Sequence, residues 1–188
     1  MLSFSRASFI MSFSIPSFVH TYPLVGFSGS RAPSAQLSAA CSSVLGALPP
    51  VSVAVGCAPG IDQLVRTAFP QARVFRATSA HPGALAARSA HMVRQVAAAG
   101  GCLLVFPSGP CPSAVRVSSS FRGHGSGSWG SCAMALGLGV PVLVCAMVPA
   151  ASWQAWAGPL AACFRVVGAA GPQQCWLQAS GSTQLGLF

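Results

Sequence analysis

Short apolar runs alternate along this chain with helix-compatible stretches, and the junctions between them are turns of glycine and other small residues. Residues 24–28 predict a buried strand that runs into Gly29-Ser30-Arg31 and then a helix over 34–48, which Pro49-Pro50 stops. Residues 51–56 repeat the pattern and end in Cys57-Ala58-Pro59-Gly60, with Asp62 in the first turn of the next helix. A third strand over 73–76 precedes a helix over 83–99, in which Leu85, Met92 and Val96 share a core-facing side and Arg88, His91 and Gln95 an adjoining stripe. Gly100-Gly101 closes that helix, and 102–106 is a fourth strand. After a long polar loop over 107–124, Gly125-Ser126-Gly127-Ser128-Trp129-Gly130 opens a helix over 131–138, and 141–146 is a fifth strand. Near-continuous apolar strands alternating with helices argue for an α/β fold. The expectation is a doubly wound, mainly parallel sheet of about five or more strands with helices on both faces. Ligands of such sheets sit at the carboxyl ends of the strands, where the glycine turns lie.

Composition restricts the chemistry. All ten basic residues are Arg, Lys, Glu and Asn are absent, Asp62 is the only carboxylate side chain, and the formal net charge is +9. Catalysis by a carboxylate pair is therefore excluded, as are carboxylate-rich Ca²⁺ or Mg²⁺ cages. The arginine excess favours phosphate-bearing partners, because the guanidinium fork matches phosphate oxygens. The basic residues Arg66, Arg73, Arg76, Arg94, Arg116 and Arg122 are dispersed and not clustered as in a nonspecific DNA binder.

The eight cysteines include no CxxC pair, and several fall in apolar runs, so mostly reduced, buried thiols are expected. Residues 1–22, where Ser and Pro16 interrupt every apolar run, make a poor signal peptide and are expected as a leader open to disorder. Residues 132–151 are uncharged over a bilayer-spanning length. Gly137, Gly139 and Pro141 split them into a helix and a strand, so no membrane association is expected. The main domain is taken as 23–147, and 148–188 as a C-terminal extension on the same domain, with an extra strand near 163–167. A cytoplasmic location follows from these features, and the low surface charge is compatible with a homo-oligomer.

Three small-residue turns brought to one sheet edge, each opening a helix, outline an anion site. The candidate ligand residues are Gly29, Ser30, Arg31, Gly56, Cys57, Gly60, Asp62, Arg88, Ser89, Gly125, Ser126, Gly127, Ser128, Trp129 and Gly130. Asp62 suits the dipole of its helix as well as a ribose hydroxyl, and Trp129 suits core packing as well as base stacking. His91 and His124 have no acid or cysteine motif beside them, so no metal site is expected.

The ordered set Gly26-Phe27-Ser28-Gly29-Ser30-Arg31, Val55-Gly56-Cys57-Ala58-Pro59-Gly60-Ile61-Asp62, Arg88-Ser89 with Met92-Val93, and Gly125 to Gly130 ahead of Ala135-Leu136-Gly137-Leu138-Gly139 resembles the SLOG superfamily over about residues 24–145. That superfamily groups the DNA-processing DprA/SMF proteins with the LOG-type nucleotide phosphoribohydrolases and includes stand-alone Rossmann-like domains. In the DprA branch such turns shape a pocket and the protein handles single-stranded DNA. In the LOG branch an Arg on the middle helix and a Glu beyond the glycine turn hydrolyse a nucleoside monophosphate. Met134 stands where that Glu would fall, so the resemblance implies binding of a nucleotide or nucleotide-derived small molecule, as a sensor or accessory protein, without strong catalysis. Single-stranded DNA binding and phosphoribohydrolase activity are the alternatives the resemblance carries. A bound nucleotide is the one cofactor it suggests.

Overall fold

The strands over 102–106 and 142–146 are buried along their whole length because both sides of the sheet are covered there. The computed structural model describes residues 15–169 and 172–179, and within them β1 (Leu24–Gly29), β2 (Ser52–Gly56), β3 (Arg73–Phe75), β4 (Cys102–Phe106) and β5 (Val142–Ala146) are mutually parallel. The strand order is β3-β2-β1-β4-β5-β7-β6, with β7 (Cys175–Ala179) antiparallel to β5 and β6 (Phe164–Ala169) antiparallel to β7. The fold is a Rossmann-like α/β fold with a mostly parallel seven-stranded sheet.

Strand alternation divides the core into two layers. Val25, Phe27, Val55, Leu104 and Leu143 pack with Leu37 and Val44 of α2 (Ala35–Ala47) and Ile61 and Val65 of α3 (Ile61–Ala68). Ala54, Leu103, Val105, Val142 and Val144 face the opposite side. They pack with Met92, Val93 and Val96 of α4 (Pro82–Ala98) and Cys132 and Met134 of α5 (Gly127–Gly137). The helices following β1 and β2 therefore lie on one face, and those preceding and following β4 on the other, as right-handed crossovers require. The chain reverses its direction of travel across the sheet between β1 and β4, and a crevice opens there at the carboxyl ends.

Three departures from the sequence reading concern the ends of elements and the two termini. Residues 15–22 of the expected leader are not detached: α1 (Ile15–Val19) puts a fully buried Val19 into the α2-side core, while residues 1–14 lie outside the described part. Helix α5 begins at Gly127, because the Ser126 hydroxyl accepts from the Trp129 N–H and caps the helix four residues before the expected start. Beyond β5, α6 (Trp153–Ala157) and a 3-10 turn (Gly158–Cys163) lead into a hairpin that extends the same sheet, with the later strand, β7, placed inside. The uncharged stretch over 132–151 divides between α5 and β5 at Gly139, whose φ is 71°, and no described helix is long and apolar enough to cross a membrane.

All eight cysteines are free, and six are buried. Burial pushes the thiols of Cys41, Cys102 and Cys145 up to about 12. Iodoacetamide at pH 8 should therefore leave the peptides carrying these three unmodified in native protein and modify all three in guanidinium, as read by mass spectrometry. Rapid native labelling of Cys102 would contradict this packing.

Candidate functional site

A cavity of about 540 Å³ occupies the crevice where β1 and β4 part. Its walls are the β1–α2 turn (Ser28, Gly29, Ser30, Arg31), the loop into α5 (Phe121, Gly123 to Ser128), and the inner side of α4 (Leu85, Ala86, Arg88, Ser89, Met92), with Gly56, Ala58 and Asp62 also lining it. This size falls in the range of roughly 300–1,000 Å³ usual for small-molecule sites.

The turns hold their shape through backbone hydrogen bonds between them. The Ser30 N–H donates to Phe106 O at 2.9 Å, and the Ile61 N–H to Ser30 O at 3.0 Å, so the ends of β1, β4 and α3 are tied together. Gly60, with φ of 73°, brings its Cα against the carbonyls of Ser30 and Arg31, where a side chain would collide with backbone. The loop over 107–126 is anchored along its length. Cys111 N–H donates to Trp156 O at 2.8 Å, Trp129 Nε1 to Gly109 O at 2.9 Å, and Ser118 N–H to Ala133 O at 3.3 Å. The cavity wall contributed by Phe121 and Gly123 therefore rests on α5 and α6.

The electrostatic centre of the site is the Asp62–Arg88 ion pair. Arg88 Nη1 donates to Asp62 Oδ2 at 2.8 Å, and the two side chains are 11% and 7% exposed. The Ala58 N–H donates to the same oxygen at 3.2 Å, and Arg66 Nη1 donates to the carbonyls of Gly56 and Ala58 at 2.8 and 3.0 Å. Burial pushes the Asp62 carboxyl above its ordinary value, against the opposing pull of Arg88, the Ala58 N–H and Arg66. The Arg88 guanidinium lies directly against the carboxylate as its counter-charge. Gly56 makes room for the pair, since a Cβ at that position would overlap Arg88 Nη1 and Asp62 Oδ2. Arg88 Nε is buried without a hydrogen-bond partner.

Of the sequence-derived candidates, Gly29, Ser30, Arg31, Gly56, Asp62, Arg88, Ser89, Gly125, Ser126, Gly127 and Ser128 line this cavity. Cys57, Gly60, Trp129 and Gly130 do not. The Cys57 thiol receives the Ala77 N–H at 3.4 Å, the Ala58 N–H is taken up by Asp62, and the Ile61 N–H that follows the turn by Ser30 O. Trp129 is 1% exposed, with its ring centroid 5.0 Å from that of Trp156, so core packing accounts for it and base stacking is corrected. Gly130 is buried in the first turn of α5 against Phe121 and Gly123. Met134 is fully buried among the apolar residues between α5 and the sheet, away from the cavity lining. The reading missed Phe121, Leu85 and Met92 as cavity walls and Arg66 as the brace of the β2–α3 turn. An apolar residue in a loop otherwise made of Ser and Gly was the available signal for Phe121.

Chemically, the site offers an exposed guanidinium (Arg31), serine hydroxyls, and at the start of α5 the N–H groups of Gly127 and Ser128, the two of its first turn that Ser126 does not engage. Apolar residues of α4 and Phe121 complete the lining. Among the described residues no group of His, Cys, Asp or Glu is placed to hold a metal ion. No family model, curated protein or solved structure matches this chain.

Asp62→Ala leaves a buried guanidinium without its counter-ion, and urea unfolding should report a loss of about 3–5 kcal/mol. Adding Arg88→Met should restore most of it, because the orphaned charge is then gone. Equal stability of the single and double variants would show that the orphaned guanidinium carries no penalty.

Proposed function

We propose that this protein binds a nucleotide or nucleotide-derived small molecule in the cavity between β1, β4, α4 and α5, and acts as a sensor or accessory protein without strong catalysis. The observation that carries the reading is the polarity of the cavity. The lining combines Arg31, Ser30, Ser126, Ser128 and the α5 N-terminus with the apolar Leu85, Ala86, Met92 and Phe121. An anionic group suits the first set by charge and by backbone N–H donors, and a base suits the second by burial of its faces. Asp62 Oδ2 takes the bonds from Arg88 and Ala58, and Oδ1 receives no donor from a described residue, which suits it to a sugar hydroxyl. The order of these turns along the chain agrees with a SLOG-like domain.

Binding is favoured over turnover on the donor set. The single carboxylate is engaged by a buried arginine, and hydrolysis of an N-glycosidic bond calls for a group free to activate water or stabilise the developing cation. Free thiols at all eight cysteines suit a reducing compartment such as the cytoplasm. A second reading, single-stranded nucleic acid on the outer surface, draws on the exposed Arg73 and Arg76 by the edge strand β3 and Arg94 on α4.

A thermal-shift screen against nucleoside mono- and diphosphates, cyclic nucleotides and a short single-stranded oligonucleotide, at low and high salt, tests both readings. A small nucleotide should raise the melting temperature at both salts. Arg31→Ala should weaken that ligand about tenfold or more, in line with loss of a charge-assisted contact. A shift given by the oligonucleotide alone and lost at high salt would replace the first reading with the second.

A further inference from the structure

The ion pair on the cavity wall leaves one polar atom of each partner unused, and this narrows the ligand class within the nucleotide reading, on which the step rests. Asp62 Oδ2 takes the hydrogen bonds made to that carboxylate, from Arg88 Nη1 at 2.8 Å and from the Ala58 N–H at 3.2 Å. Asp62 Oδ1 and Arg88 Nη2 bond neither to each other, as they would in a bidentate pair, nor to another described residue. Among the described residues Arg88 Nε is the fully buried side-chain N or O atom without a partner. Oδ1 and Nη2 are therefore the accessible atoms of a pair whose side chains are only 7% and 11% exposed, and both residues line the cavity. An anionic acceptor and a cationic donor, each largely shielded from bulk water, are thus left to a ligand.

We infer that Asp62 Oδ1 and Arg88 Nη2 read the vicinal 2′,3′-diol of a ribose, so that the cavity takes a ribonucleotide in preference to a 2′- or 3′-deoxyribonucleotide. A hydroxyl both donates and accepts, and two on neighbouring carbons give Oδ1 a donor and Nη2 an acceptor at once. The surrounding contacts favour the sugar over the other parts of a nucleotide. On one side Ile61, next to Asp62 in the chain, donates its N–H to Ser30 O at 3.0 Å, so the pair adjoins the turn that carries Ser30 and Arg31. On the other, Leu85 and Met92 lie one helical turn before and after Arg88 on α4 and line the same cavity. The pair stands between a turn suited to phosphate and apolar residues suited to a base, and the sugar joins those two parts of a nucleotide. A deoxy analogue displaces water from Oδ1 and Nη2 yet leaves one of them without a partner, which is the costly case for a hydrogen-bonding site. The selection acts on the sugar and is indifferent to the charge of the phosphate.

Isothermal titration at pH 7.5 compares, for each of the four common bases, the ribonucleoside 5′-monophosphate with its 2′-deoxy and 3′-deoxy analogues. For the base that binds most tightly, each analogue should bind about tenfold or more weakly than the ribonucleotide. The double variant Asp62→Ala/Arg88→Met, which leaves no orphaned charge, should bring the three compounds to within about threefold of one another, since both reading atoms are gone. If either analogue binds the wild-type protein as tightly as the ribonucleotide, the diol inference is wrong and nucleotide binding stands. A double variant that weakens all three compounds by one factor and keeps their ratio assigns the pair a structural role and equally overturns it. No binding by any of the twelve compounds removes the nucleotide reading and this inference together.

Discussion

A single buried carboxylate in a chain with ten arginines is the constraint on which the site depends. An ionised Asp62 can remain inside the protein only with a cation and hydrogen-bond donors directly against it, and Arg88 and the Ala58 N–H supply them at 2.8 and 3.2 Å. The contact reaches from the first turn of α3 to the middle of α4, across opposite layers of the sheet, past the edge left open by Gly56. It therefore fixes how α4 sits relative to the β2 carboxyl end, and so sets the floor of the cavity. The pair costs desolvation and leaves Arg88 Nε without an acceptor, which makes it a weak source of stability and a strong source of specificity in how these elements meet.

Sheet topology does the rest of the positioning. With β1 and β4 adjacent and their following segments leaving on opposite faces, no connection covers the carboxyl ends between them. The hydrogen bonds from Ser30 N–H to Phe106 O and from Ile61 N–H to Ser30 O bind the ends of β1 and β4 and the start of α3 into one rim. The long segment over 107–126 then closes the far side through Trp129 and Cys111, whose bonds to the loop and to α6 explain why a polar stretch without regular structure is held in place.

Much of this was legible in the sequence, and the limits have physical causes. The parallel strands were readable because burial on both faces leaves no room for polar residues in Leu103-Leu104-Val105 or Val142-Leu143-Val144. Gly29 to Arg31 and Gly125 to Ser128 were readable as cavity turns because strand ends followed by helix starts meet at one edge in any such sheet. The Asp62–Arg88 pairing was not, because the partners lie 26 positions apart and any of ten arginines satisfies the same charge rule. Trp129 and Gly130 were assigned to the turn because glycine and serine on both sides hid the cap at Ser126, and the start of α5 decides whether the indole meets ligand or core. The exchange of order between β6 and β7 left no trace, since apolar runs of five or six residues carry no record of which edge they join.

The composition also separates attraction from recognition. A formal charge of +9 with almost no acids surrounds the molecule with a positive potential that draws any anion, yet at physiological ionic strength that field decays within about 8 Å and cannot distinguish a nucleotide from other phosphates. Discrimination must come from groups that are fixed and shielded from salt. In this protein the buried Asp62–Arg88 pair and the capped start of α5 are fixed in that way, whereas the exposed arginines are screened. A chain without lysine or glutamate thus holds the one salt-shielded ion pair of its described residues at its only carboxylate, on the wall of the cavity.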